Sequence, residues 1–136
     1  TKIAPGESIT VSINGDLKNG ESLYIVDEII PEGFTASNPS NDGSTTDRGH
    51  VKWVTIQDAK STTLTYTLTA PQEPGTYRFS GQYGIEGSDE ILDIGGQNTI
   101  TVSEAASASV SPFIVVAAIV LIVIAVAAVV FLKKKK

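Results

Sequence analysis

The residues able to do chemistry are few, and their spacing argues against most of it. His50 is the single histidine, set in "DRGHVKW", and the chain has no cysteine. A transition-metal site needs several such ligands, and a hydroxyl nucleophile needs a base held in place by a third group. His50 is expected to be a solvent-exposed residue where a loop becomes a strand. Serines abound, but none lies in a G-x-S-x-G turn, the strained elbow that presents a nucleophile. The chain therefore reads as a non-enzyme, with no cofactor and no small-molecule substrate inferred.

Hard cations are the remaining chemistry. The loop "NPSNDGSTTDRG" sets oxygen side chains at Asn38, Ser40, Asp42, Ser44 and Thr46 around Gly43, a spacing similar to a calcium-binding EF-hand loop. Its twelfth position is Gly49, where a bidentate Glu is required, and no helical pattern flanks it. A second stretch, "EGSDEILD", groups Glu86, Asp89, Glu90 and Asp93. Asp42, Asp89, Glu90 and Asp93 are thus weak calcium candidates, which a solvated loop and an exposed acidic hairpin explain as well. Asn38-Pro39-Ser40 is closed to N-glycosylation by its proline.

Charge divides the chain in two. All fifteen Asp and Glu precede Ala105 with only six Lys and Arg among them, a net of −9, and the remaining four lysines end the chain. So acidic a surface repels phosphate polymers, which excludes nucleic acid as a partner. Between the two parts, Phe113 to Leu132 runs for twenty residues without a charge. As a helix rising about 1.5 Å per residue it matches the ~30 Å hydrocarbon core of a bilayer.

The run is therefore read as one transmembrane helix, with Phe113 and Leu132 as its bounds. Lys133, Lys134, Lys135 and Lys136 set the topology: positive flanks stay in the cytoplasm, which puts the acidic domain outside. The helix contains no ionisable group for transport and no GxxxG seam for self-pairing. Its definite partner is the lipid bilayer. Ser111-Pro112-Phe113, the apolar run and the basic end also resemble the layout of three-part carboxy-terminal sorting signals, without their usual short motif. A chain that opens on Thr1 is expected to follow a removed signal peptide or to be the end of something longer.

Ahead of the run, residues 104–112 form a small, polar spacer, and upstream of it apolar residues recur with period two. Ile9, Val11 and Ile13 alternate, as do Tyr24 and Val26, then Val51 and Trp53. Leu64, Tyr66 and Leu68 follow, then Tyr77, Phe79 and Tyr83, then Ile91 and Leu92, and last Ile100 and Val102. Turn signals separate them at "PG" 5–6, "NGD" 14–16, "KNGE" 18–21, "PEG" 31–33, "EPG" 73–75 and "GG" 95–96. About seven short strands in ~100 residues predict an all-β fold of two packed antiparallel sheets over residues 1–103. Trp53, Tyr66, Tyr77 and Phe79 are the expected core aromatics.

The order of "IPEGF" at 30–34, "VKWV" at 51–54, "TLTYTLTAP" at 63–71, "GTYRFSG" at 75–81, "IGG" at 94–96 and "TITV" at 99–102 resembles a family of Ig-like β-sandwich modules. These belong to secreted and surface-layer proteins of archaea and bacteria, often near a carboxy-terminal anchor. The resemblance implies a structural or adhesive module at the cell surface, or the membrane-proximal end of a longer stalk, with protein partners or neighbouring copies. The competing expectation is a non-catalytic accessory subunit whose helix packs on a partner.

Overall fold

A computed structural model describes residues 1–16, 23–54, 61–104 and 121–127. Every regular element among the described residues is a strand: β1 Lys2–Ile3, β2 Ser8–Asp16, β3 Leu23–Ile29, β4 Thr35–Ser37, β5 His50–Val54, β6 Ser61–Thr69, β7 Gly75–Arg78, β8 Ser80–Ile85, β9 Ile91–Asp93, β10 Thr99–Val102 and β11 Leu121–Ala127. They form two four-stranded sheets, ordered β11-β2-β6-β4 and β5-β3-β8-β9, and a three-stranded sheet ordered β1-β10-β7. Pairing is antiparallel except for β1 on β10 and β11 on β2.

Alternation builds the core. Antiparallel register sets Ile9 opposite Leu68, Val11 opposite Tyr66 and Ile13 opposite Leu64, so one face of the β2–β6 pair is hydrocarbon. From the facing sheet come Val26, Val51, Trp53, Tyr83 and Ile85, and all eleven belong to one buried cluster. Trp53 and Tyr66 meet across the layers with ring centroids 6.2 Å apart. The third sheet adds Ile3, Ile100 and Val102 to that cluster. At its edge Phe34 meets Tyr77 and Phe79 edge-to-face. Each large side chain so buried contributes on the order of 2 kcal/mol.

Several boundaries differ from the sequence pattern. "NGD" at 14–16 is not a turn but the end of β2, because Asn14, Gly15 and Asp16 pair with Thr63, Thr62 and Ser61. "TYRFSGQY" is two strands, since the chain leaves the sheet of β10 at Phe79 and continues as β8 beside β3. β1 and β4, of two and three residues, are too short to show a period. The turns at "PG" and "PEG" do form, with Gly6 and Gly33 at φ 72° and 90°, a region that glycine enters without steric cost.

Of the apolar run 113–132, the described residues are Leu121–Ala127, and they are extended rather than helical. β11 lies parallel to β2 from Leu121 opposite Thr10 to Ala127 opposite Asp16. Valine and isoleucine suit a strand as well as an apolar helix, and β2 offers this run a free edge. Among the described residues no helix is long and apolar enough to cross a membrane. Phe113, Leu132 and Lys133 to Lys136 lie outside the described residues, as do 105–112 of the spacer and the "KNGE" turn.

Candidate functional site

The sheet β5-β3-β8-β9 carries an acidic residue on each face of one strand. In β3, Val26 and Glu28 are buried while Asp27 and Ile29 point outward, as alternate residues must. Glu28 is 1% exposed. Its strand partner is Gly81, and the carboxyl lies against that glycine: a Cβ there would stand 2.6 Å from Glu28 Oε2 and 2.7 Å from Ile94 Cδ1. The absent side chain at Gly81 is what makes room for the acid.

Among the described residues neither Glu28 Oε2 nor the Tyr66 hydroxyl has a hydrogen-bond partner, and both are buried. Burial, reinforced by the neighbouring Asp27 charge, pushes the Glu28 carboxyl up to about 8. It is thus protonated at neutral pH, since an unpaired carboxylate is costly in such surroundings. Burial likewise raises the Tyr66 hydroxyl well above its ordinary value, with the Glu28 charge adding to the effect. Beside Glu28, a shallow recess is lined by Ser80, Gly81, Gly95, Gln97 and Asn98. Its wall is tied down where Phe79 N–H donates to Asn98 O at 2.8 Å and Ile94 N–H to Gly81 O at 2.9 Å.

On the outward face, His50 Nδ1 and Asp27 Oδ1 are 2.8 Å apart. Lys52 Nζ lies 3.8 Å from Asp27 Oδ2 and donates to Asp47 Oδ2 at 2.5 Å. That hydrogen bond, more than the charge of Lys52, holds the Asp47 carboxyl below its usual value and raises Lys52. His50 is therefore half-buried and paired, not the free, exposed histidine the sequence suggests. The cause is register: His50 starts β5 opposite Ile29, two residues beyond Asp27 on the same face of β3.

The weak cation candidates do not come together. Asp42 is exposed in a turn at φ 54°, a conformation Asp adopts more readily than most residues. Asp89 and Glu90 are exposed before β9, and Asp93 lies on β9 opposite Gln82, whose Nε2 donates to it at 3.3 Å. Among the described residues no three His, Asp or Glu side chains converge on a cation position. The polar loop has a structural task. Ser40 O accepts from Trp53 Nε1 at 2.7 Å, Ser40 Oγ accepts from Thr65 N–H at 2.8 Å, and Gly43 packs directly on the indole.

Trp53, Tyr66 and Phe79 are buried, and Tyr77 is partly buried against the same cluster, its hydroxyl donating to Glu73 O at 2.8 Å. Glu28 is the residue that pattern reading misses. In "IVDEII" both parities alternate apolar, acidic, apolar, so the sequence supplies no reason to bury Glu28 rather than Asp27. No family model matches the chain, and the search of curated proteins found no match.

Proposed function

We propose that the chain is a membrane-anchored cell-surface module, in which an Ig-like β-sandwich is presented outside the cell for a structural or adhesive role. The observation that carries this reading is the uncharged run of twenty residues followed directly by four lysines. Its length fits the hydrocarbon core, and the lysines orient it with the acidic domain outside. In a bilayer, where backbone groups find no water, the run crosses as a helix. Against β2 in water, Leu121–Ala127 has a protein edge to satisfy the same groups.

The all-β domain supports the module reading, because ten of the eleven described strands and the whole buried cluster lie within residues 1–104. Presentation, not catalysis, is the role proposed. The test is made on the full chain in cells, with a peptide tag after Lys136. Protease added outside should digest the β domain and spare the tag, and alkaline washing should leave the protein in the membrane fraction. Release by the wash, or digestion of the tag with the domain spared, overturns the reading.

A further inference from the structure

Three large apolar side chains stand exposed among the described residues: Ile29, Val54 and Ile91. All belong to the outward face of the sheet β5-β3-β8-β9. Register joins two of them in one row, because Val54 pairs with Ile25, Ile25 with Gly84, and Gly84 with Ile91. An uncharged row thus crosses four strands, with exposed hydrocarbon at both edges and a glycine, Gly84, between Ile25 and Ile91. The neighbouring row is Lys52, Asp27, Gln82, Asp93: on the β5 edge a cation that already pairs with Asp47 and lies near Asp27 of its own chain, on the β9 edge an anion.

We propose that this face is the contact between two copies of the chain, related by a two-fold axis parallel to its strands. The charges choose that axis. Turning a copy about a line along the strands lays its β9 over β5 of the first, row upon row. Lys52 then faces Asp93 of the second copy, Asp27 faces Gln82, Val54 faces Ile91, and Ile25 faces Gly84. An axis across the strands through that row would set Lys52 on Lys52, Asp27 on Asp27 and Asp93 on Asp93, replacing two attractive contacts with three repulsive ones. The face is complementary to itself in one orientation only.

A shared membrane demands the same orientation, and this step alone rests on the anchoring reading. Copies anchored in one bilayer with the same topology are related by rotation about the membrane normal. β10 ends at Val102, directly before the spacer, so it runs toward the membrane. Strands of packed sheets keep within about 30° of one another, which brings the two-fold axis close to the normal. Repulsion between two acidic domains is screened over about 8 Å at physiological salt, while charges in contact across the rows are screened less. Anchoring confines the copies and supplies the effective concentration that a small contact needs.

The experiment uses the full chain in lipid vesicles and exploits its lack of cysteine. Val54→Cys and Ile91→Cys are made in separate chains of different tagged size, mixed, and treated with a bismaleimide reaching about 10 Å, the spacing of packed sheets. The mixed dimer should exceed either same-residue dimer several-fold. Lys52→Glu in both chains should abolish that excess, and adding Asp93→Lys should restore it. Equal yields of the three dimers, an excess of same-residue dimers, or no dimer overturns the proposal. Flotation of the same vesicles reads anchoring separately. If the chain does not float, the anchoring reading fails, and the contact stands or falls on the same dimer ratio in concentrated solution.

Discussion

The outer faces of the two four-stranded sheets obey the same alternation and present opposite surfaces. Beside β6, the outward residues are Ser8, Thr10, Ser12 and Asn14 on β2, opposite Thr69, Thr67, Thr65 and Thr63. Thr35 and Ser37 on β4 extend the first two rows. Across β2, β6 and β4 the pattern contains no charge and no large hydrocarbon, while β11 sets Leu121 and Val123 level with Thr10 and Ser12; its polar members bond each other: Ser8 Oγ and Thr69 Oγ1 are 2.8 Å apart, and Thr63 Oγ1 donates to Asn14 Oδ1 at 2.9 Å. Beside β3 the outer face mixes hydrocarbon with Asp27, Lys52 and Asp93, and the inner face holds Glu28. Strands β2, β6 and β4 keep the rule of apolar inside and polar outside; the sheet of β3 departs from it on both sides. Such departures, retained at a cost in stability, mark where a surface has a task beyond folding.

The inward departure gives the largest effect. Unfolded, Glu28 ionises near its ordinary 4.5; folded, it keeps its proton to about 8. Between those values folding takes up a proton, so this group's contribution to stability falls as pH rises from about 4.5 to about 8 and is constant beyond. At about 1.4 kcal/mol per pH unit the change is on the order of 5 kcal/mol. Denaturant unfolding from pH 4 to 9 should show that decline. Glu28→Gln should remove most of it and raise stability at pH 7 by on the order of 3 kcal/mol. A flat profile in the unmodified chain would mean that Glu28 has a partner and that the inner faces of the two sheets do not differ in kind.

Next in size is the glycine that admits the acid. A methyl at position 81 would also stand 3.0 Å from Asp27 O, a backbone atom that cannot swing aside. Gly81→Ala should therefore cost about 1–3 kcal/mol, the usual range for overpacking. Combining it with Glu28→Ala, which empties the space beside it, should cost less than the sum of the two single changes. Strict additivity in such a cycle would show that Gly81 and Glu28 are not packed on one another.

Most of this layout was legible in advance, and the failures have physical causes. The rows of β2 and β6 show their faces because serine and threonine alternate strictly with isoleucine, valine, leucine and tyrosine. β3 does not, since "VDE" places an acid on either parity and only its register against β5 and β8 decides between them. Trp53 as a core centre was visible from its alternation with Val51. The loop that covers it was not, because oxygen-rich spacing reads alike whether it binds a cation or caps an indole. In the apolar run, composition fixes hydrophobicity but does not choose between helix and strand; the surroundings do, as β11 on the edge of β2 illustrates.

The smallest effect sharpens the outward half of the comparison. Lys52 holds Asp47 below its ordinary titration, and a depressed acid adds stability above its unfolded value that is lost as pH falls through the folded one. Both groups are open to solvent, where salt and side-chain entropy leave an ion pair little net worth. Lys52→Met should return the Asp47 carboxyl, followed by nuclear magnetic resonance, to its ordinary range. It should leave the melting temperature at pH 7 and physiological salt nearly unchanged. A large fall in melting temperature would assign the outer charges to the fold of the domain. An unchanged one leaves Lys52 energetically free of the fold, as a residue must be if its cation is to meet an anion on another copy.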